Sequence, residues 1–238
     1  MSDNPRRNEY LLMTLLGAGA LFVAYQVYKH NMSSNVSAPN NSNRTKVILK
    51  DINDVPYYNR PHMNRVISNQ NECKQALKKL RQACKKYPVL GLDCEWNNDR
   101  NGRRKVALLQ LATQTGLCFL FRLCKIGYIP EELKCILADP NIRKAGVGVE
   151  TDMQYLLIDY QADGAGAVDL REMAEICDVP LPHDLASLAK QSLGIIMDKT
   201  WQVSDWEADV LTENQIKYAA NDARVAIELY KVYDYNMK

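Results

Sequence analysis

The sequence contains no Cys-x-x-Cys pair, few histidines and little surplus charge. Its seven cysteines (Cys73, Cys84, Cys94, Cys118, Cys124, Cys135, Cys177) are odd in number. That argues against a disulfide framework or a zinc ribbon and favours reducing surroundings. Most lie in apolar stretches and read as small core residues. The three histidines, His30, His62 and His183, stand apart from one another, so they form no ligand cluster. The formal charge is +2, and any basic surface must therefore be local. At 238 residues, with 47% hydrophobic and 24% charged residues, the chain has the composition of a globular protein. It has room for one sizeable domain plus an appendage. No internal repeat is visible.

The appendage is amino-terminal. After a short flank (1–10), Leu11 to Tyr28 runs eighteen residues without a charge, preceded by Arg6, Arg7 and Glu9 and followed by Lys29 and His30. This just reaches the length needed to cross a hydrocarbon core. It is long for a signal-peptide core, the residues after it make a weak cleavage site, and it lacks the polar face of a core helix. A retained transmembrane anchor over 11–28 is the expectation. Residues 29–46, rich in Asn and Ser, read as a flexible linker. The folded domain is expected over 47–238.

From residue 47 the pattern is mixed α/β. A short strand is expected at 65–68, then a helix capped by Asn69 or Asn71 and running to Lys86, with an apolar stripe of Ala76, Leu80, Ala83 and Cys84. Strand-like runs follow at 89–96, 105–113 and 117–121, the last two joined as a hairpin by "QTG". The polar stretch 97–104 reads as a turn. A helix at 131–138, a strand near 143–149, a helix at 151–160 and a strand at 166–170 come next. Helices near 171–177, 184–193 and 212–234 end the chain. The order implies a mixed sheet with helices packed on it.

Within "PVLGLDCEW" (88–96), Leu90, Leu92 and Cys94 share one strand face and Gly91, Asp93 and Glu95 the other. Like charges side by side repel, so a positive partner is required. The expectation is a cleft on the solvent side of the sheet. Asp152 stands at a helix start, where an acid also interacts well with the helix dipole. In "LTENQIKYAANDARVAIELY" (211–230), Thr212 and Gln215 resemble a capping box. Tyr218 and Asp222 are four apart on one helix face, among alanines that allow close packing. An Asp amid such residues is unfavourable unless it has a task. Oxygen-only ligation selects Mg²⁺ or Mn²⁺ over zinc, and four converging acids suit phosphoryl chemistry with paired ions.

"GLDCEW", "GVGVETDMQYL" and "YAANDA" resemble the three motifs of the DEDDy 3′–5′ exonucleases, the family of ribonuclease D and the Werner-type exonuclease domain. "LASLAKQSLG" and the segment through Trp206 to Ala223 extend the resemblance to about residues 63–232. With the apolar amino terminus, the resemblance points to the membrane-tethered branch of that family. It implies a ribonuclease H-like three-layer α/β/α fold with a mixed central sheet. It also implies that Asp93, Glu95, Asp152 and Asp222 hold two divalent cations, Mg²⁺ or Mn²⁺. Asp93 bridges both, Glu95 and Asp222 complete the site of the attacking water, Asp152 acts on the second ion, and Tyr218 orients the water. The reaction implied is hydrolysis of terminal phosphodiesters of single-stranded RNA or DNA, releasing nucleoside 5′-monophosphates. Family members commonly extend beyond the nuclease domain, whereas this sequence stops at Lys238; that bears on processivity and substrate choice rather than on chemistry.

Candidate substrate contacts are Arg103 and Arg104, for phosphates, and Lys199 and Trp201, which combine a cation with an aromatic face. Gln110, inside an apolar strand, either meets substrate or caps a backbone group. Trp206 reads as core. The partners expected are single-stranded RNA or DNA 3′ ends and a membrane through 11–28, with a homodimer left open. Two other readings are a nucleic-acid-binding module without catalysis and a membrane-anchored interaction protein; metal-dependent turnover separates both from an exonuclease. Free cysteines place the domain in the cytosol or a mitochondrial compartment, and the short anchor suits the mitochondrial outer membrane, with the endoplasmic reticulum as alternative.

Overall fold

The computed structural model describes residues 49–238. The expected anchor (11–28) and linker (29–46) lie outside the described residues. Among the described residues no helix is long and apolar enough to cross a membrane.

The elements in chain order are strand β1 (Lys50–Asp51), β2 (Asn64–Ile67), helix α1 (Gln70–Lys86), β3 (Val89–Asp99), β4 (Gly102–Ala112), β5 (Cys118–Phe121) and α2 (Leu123–Ile126). Then come α3 (Glu131–Ala138), β6 (Arg143–Gly146), α4 (Val149–Tyr160), β7 (Ala167–Asp169), α5 (Leu170–Ile176) and α6 (Leu185–Leu188), which runs into a π-helical turn (Ala189–Leu193). Strand β8 (Ile195–Ile196) and helix α7 (Glu213–Asn236) complete the fold. Six strands form one sheet in the order β2-β5-β4-β3-β6-β7. Only β4 is antiparallel to its neighbours; the other pairs are parallel. Strands β1 and β8 form a separate parallel pair.

Alternation along β3 decides the layers. Leu90, Leu92 and Cys94 face α1, α3 and α4, joining Leu80, Leu133, Val149 and Leu156 in one core. On the other face Leu108, Ala112 and Leu120 meet Ala219, Ala220, Ala223 and Ile227 of α7. The result is a three-layer α/β/α arrangement with a mixed sheet. Helix α7 covers this face at Gly91, while half-buried Asp93 and Glu95 line a cleft beside it, as alternation suggested.

Several boundaries match the sequence expectations. Asn69 caps α1 by accepting from the Glu72 amide, α3 falls on 131–138, and Thr212 with Gln215 closes a reciprocal capping box on α7. The stretch 97–104 differs. Strand β3 extends to Asp99 and β4 begins at Gly102, so most of this polar run is paired strand. Polarity there reflects exposure at the tip of a long hairpin rather than loss of the ladder. Helix α2 and the β1–β8 pair had no clear periodic signal, being two to four residues long.

Candidate active site

Close approach of helix to strand brings the acids together. A Cβ built on Gly91 would stand 1.9 Å from the Ala223 carbonyl oxygen, so only glycine lets α7 lie on β3 two residues before Asp93. The alanines around Asp222 remove bulk from the other side of the same contact. Immediately after Glu95, the β3–β4 register shifts at Trp96. Such an irregularity bends a strand and re-aims its side chains.

As a result, ligand atoms of Asp93, Glu95 and Asp222 all lie within 4.8 Å of one another, and this group can hold a metal ion. Asp152, buried in the first turn of α4, is outside that triad but lines the same cavity of about 480 Å³. Trp96, Asn98, Lys199 and Gln202 also line it, with Tyr218. Tyr218 and Asp222 are shared with an adjoining cavity of about 220 Å³ that contains Trp201, Asn214, Lys217 and Asn221.

The electrostatics suit a bound cation. Burial pushes Asp93 up to about 7. Burial, then the charges of Asp93, Asp222 and Asp152, pushes Glu95 up to about 11. Burial, then Asp93 and Asp169, takes Asp152 to about 9. Asp222 is raised well above the carboxylate range by burial and then Asp93, with Tyr218 and Lys199 acting the other way. Four carboxyls this close cannot all ionise unless positive charge joins them. Lys199 offers only one charge and is already paired with Asp184 at 3.2 Å. An all-oxygen set of this kind fits a hard divalent cation.

The Tyr218 hydroxyl is also raised, by burial first and then by Asp222 and Glu95, so it stays protonated. Its ring lies 6.0 Å from that of Trp206, which is 1% exposed, in the core as the sequence suggested. The loop carrying Trp201 and Trp206 is fixed from three sides. Asn97 Oδ1 accepts from the Trp206 amide at 2.9 Å, Gln215 Nε2 donates to the Asp205 carbonyl at 3.0 Å, and Arg122 donates to the Asp209 carbonyl at 2.7 Å.

Of the expected substrate contacts, Lys199 and Trp201 line the two cavities. Arg103 and Arg104 do not. Arg103 makes a bidentate pair with Asp159, at 2.7 and 2.9 Å, and lies over the Tyr155 ring. Arg104 pairs with Glu207 at 2.6 Å. Both lie along a separate cleft beside Lys105. They clamp the β3–β4 hairpin to α4 and to the loop before α7, a long-range role that a local basic run does not reveal.

Gln110 is not at the surface either. It is fully buried, directly opposite Asp93 in the ladder, and both of its amide atoms lack a hydrogen-bond partner. It neither lines these cavities nor caps the backbone. Sequence reasoning missed Asn98, Asp184, Asp198 and Asn214 at the cavity walls. They come from hairpin tip, loop and helix start, where no periodic pattern marks a side chain. Asn221, beside Asp222 in "YAANDA", lines the smaller cavity and was missed as well.

The chain is similar to known proteins over this same region. "Exonuclease 3'-5' domain-containing protein 2" of Drosophila melanogaster is 41% identical over 157 residues, covering 65% of this chain and 27% of that protein. Ribonuclease D of Escherichia coli (strain K12) is 31% identical over 147 residues, 62% of this chain and 39% of that protein. A crystal structure of the EXD2 exonuclease domain soaked in Mn and Mg shares 38% identity, with a TM-score of 0.47 over 71% of this chain and 88% of that one. The chain spans about a quarter of the length of the exonuclease 3'-5' domain-containing relatives. A 3'-5' exonuclease family model matches residues 65–233, a stretch that takes in all four acids and Tyr218, and the chain belongs to that family.

Proposed function

We propose that this chain is a metal-dependent 3′–5′ exonuclease that hydrolyses the terminal phosphodiester of single-stranded RNA or DNA and releases nucleoside 5′-monophosphates. The observation that carries the reading is the convergence of Asp93, Glu95 and Asp222 within 4.8 Å, in a cavity shared with Asp152 and Tyr218. Two divalent cations, Mg²⁺ or Mn²⁺, are the cofactors: Asp93, Glu95 and Asp222 would hold one, and Asp93 with Asp152 the other. Such ions, when bound, activate a water and stabilise the leaving oxygen.

The chain's own groups do the rest. Tyr218, held neutral, keeps its hydroxyl as a donor and acceptor that orients the attacking water. The buried Trp206 ring packs beside that of Tyr218. Lys199 exchanges Asp184 for a substrate phosphate, and Trp201 offers a face on which an unpaired base stacks. Water adds its oxygen to phosphorus and releases a proton, the bond to the 3′ oxygen of the preceding nucleotide breaks, and that oxygen takes up a proton from solvent and leaves as a hydroxyl. The chain's tether is proposed to be 11–28, with the domain facing the cytosol from the mitochondrial outer membrane. An odd set of cysteines with no Cys-x-x-Cys pair supports a reducing compartment. Glycosylation of the linker at Asn35 in cells would contradict that topology.

The test uses the full chain and 5′-labelled single strands of RNA and DNA, with Mg²⁺, with Mn²⁺ and with chelator, beside Asp93→Ala. A metal-dependent ladder shortening from the 3′ end, absent in the variant, is expected. Intact strands under every metal condition, from folded protein, would replace the enzyme with a binding module.

A further inference from the structure

Helix α1 carries Lys74, Lys78, Lys79, Arg81, Lys85 and Lys86 against a single acid, Glu72. That is +5 on one helix of a chain whose total is +2. All six cations are exposed. Ion pairs elsewhere on the domain engage Arg103, Arg104, Lys125, Lys134, Arg143, Arg171, Lys199, Lys231 and Lys238. Among the described residues, none of the six on α1 has such a partner.

The spacing turns four of them into a ridge. Residues 74, 78, 81 and 85 follow steps of four, three and four, which at 3.6 residues per turn places them within about 60° of one another along roughly 16 Å of helix. Cys73, Ala76, Leu77, Leu80 and Cys84 bury the adjoining face, so the ridge cannot turn away. A merely solvated helix face would interleave acids, since opposite charges three or four apart stabilise a helix and like charges there cost about 0.2–0.5 kcal/mol per pair. Lys85 and Lys86 suit the negative end of the helix dipole, but Lys74, in the opening turns, does not. The arrangement works against the helix and is suited to an external polyanion.

We infer that this ridge binds the phosphate backbone of the single-stranded nucleic acid whose 3′ end enters the carboxylate cavity; the inference rests on the exonuclease reading. Topology supports the path. Strands β2 and β3 run the same way, because each step between them through β5 and β4 is parallel, antiparallel and antiparallel in turn. Helix α1 leaves the end of β2 and returns to the start of β3. Its first turn therefore lies at the end of the sheet where Asp93 and Glu95 sit. Helix α1 packs on the sheet face opposite the acids, so a strand leaving the cavity would cross that end of the sheet and then meet Lys74 first, followed by Lys78, Arg81 and Lys85. The ridge reads charge and not sequence.

The test is the quadruple variant Lys74→Gln, Lys78→Gln, Arg81→Gln, Lys85→Gln in the full chain. Glutamine keeps helix propensity, and the pairs 74/78 and 81/85 made separately serve if the quadruple is unstable. Binding of a single strand roughly 20 nucleotides long, longer than a usual single-strand site, is measured in chelator across a salt series. Turnover of that strand and of a trinucleotide is measured with Mn²⁺. Because the variant removes four cations that meet phosphates, the slope of log affinity against log salt should flatten by about 3. KM for the long strand should rise at least tenfold with kcat kept, and the trinucleotide should be unaffected. An unchanged salt slope, or an equal loss on the trinucleotide, would overturn the ridge. So would lost binding to phosphatidylserine vesicles, compared with phosphatidylcholine alone, while strand binding persists; the ridge would then face a membrane. Wild-type protein that binds strands in chelator but never cleaves them would remove the proposed activity and leave the ridge standing.

Discussion

Replacing Asp93 by asparagine should stabilise the metal-free protein while abolishing turnover. Burial holds Asp93 near 7 in the folded chain, against about 4 for an unperturbed aspartate, and each pH unit of that gap is worth 1.36 kcal/mol. That sets about 4 kcal/mol as the most that ionising Asp93 costs the fold, and about 2–4 kcal/mol once its partial exposure is allowed for. Below about pH 4 the acid is protonated in both states and the substitution changes little. As pH rises, the unfolded chain ionises first, so wild-type stability falls until the folded acid also ionises near 7. Asparagine does not titrate. The gain should be close to zero at pH 4 and complete by pH 8, where it corresponds to roughly 4–16 °C in Tm for a domain of this size. Saturating Mn²⁺ should invert the order, because metal stabilises only the folded chain that binds it. Thermal melts of both proteins in chelator and in Mn²⁺, at pH 4 and pH 8, read all four corners. A chelated wild type at least as stable as Asp93→Asn at pH 8 would refute the claim that the acids are held in mutual tension awaiting a cation.

Tyr218→Phe should lower kcat by about 10²-fold, the loss that misplacing a reacting group brings, and leave KM for the strand and the metal half-saturation within a factor of two or so; a parallel rise in either would make the tyrosine a binding residue. Gly91→Ala should cost at least about 1–3 kcal/mol by overpacking, since its Cβ would stand 1.9 Å from a backbone oxygen that cannot swing aside. Isothermal titration should show weaker metal binding as α7 lifts Asp222 from Asp93. Gln110→Leu should raise Tm, because it removes two buried amide atoms that have no partner and each unmade bond costs about 1–3 kcal/mol; a lower Tm would mean that the amide is bridged by buried water.

The fold was legible where periodicity and chemistry agreed. Asn69, the Thr212–Gln215 pair and the alanine run of α7 each announce a local structure whose physical cause is also local. The acids were legible for a related reason. Asp93 and Glu95 share a strand face by alternation, and Tyr218 and Asp222 share a helix face by the four-residue step. What alternation cannot supply is the layer that comes down on that face. Whether Gly91, Asp93 and Glu95 look at solvent or at α7 depends on where a helix more than a hundred residues later docks. The mark left in the sequence is only a glycine opposite alanines. The same limit explains Arg103, Arg104 and Gln110. A basic hairpin and a polar residue in a strand look like substrate contacts until Asp159, Glu207 and the α7 layer are placed against them. The α1 cations escaped notice for the reverse reason. Their meaning lies in partners that never arrive, and only the folded surface shows that no acid of the described domain reaches across to neutralise them. Charge that is locally unfavourable and globally uncompensated is therefore read from structure, whereas like charges set side by side on one strand face, as at Asp93 and Glu95, can be questioned from sequence alone.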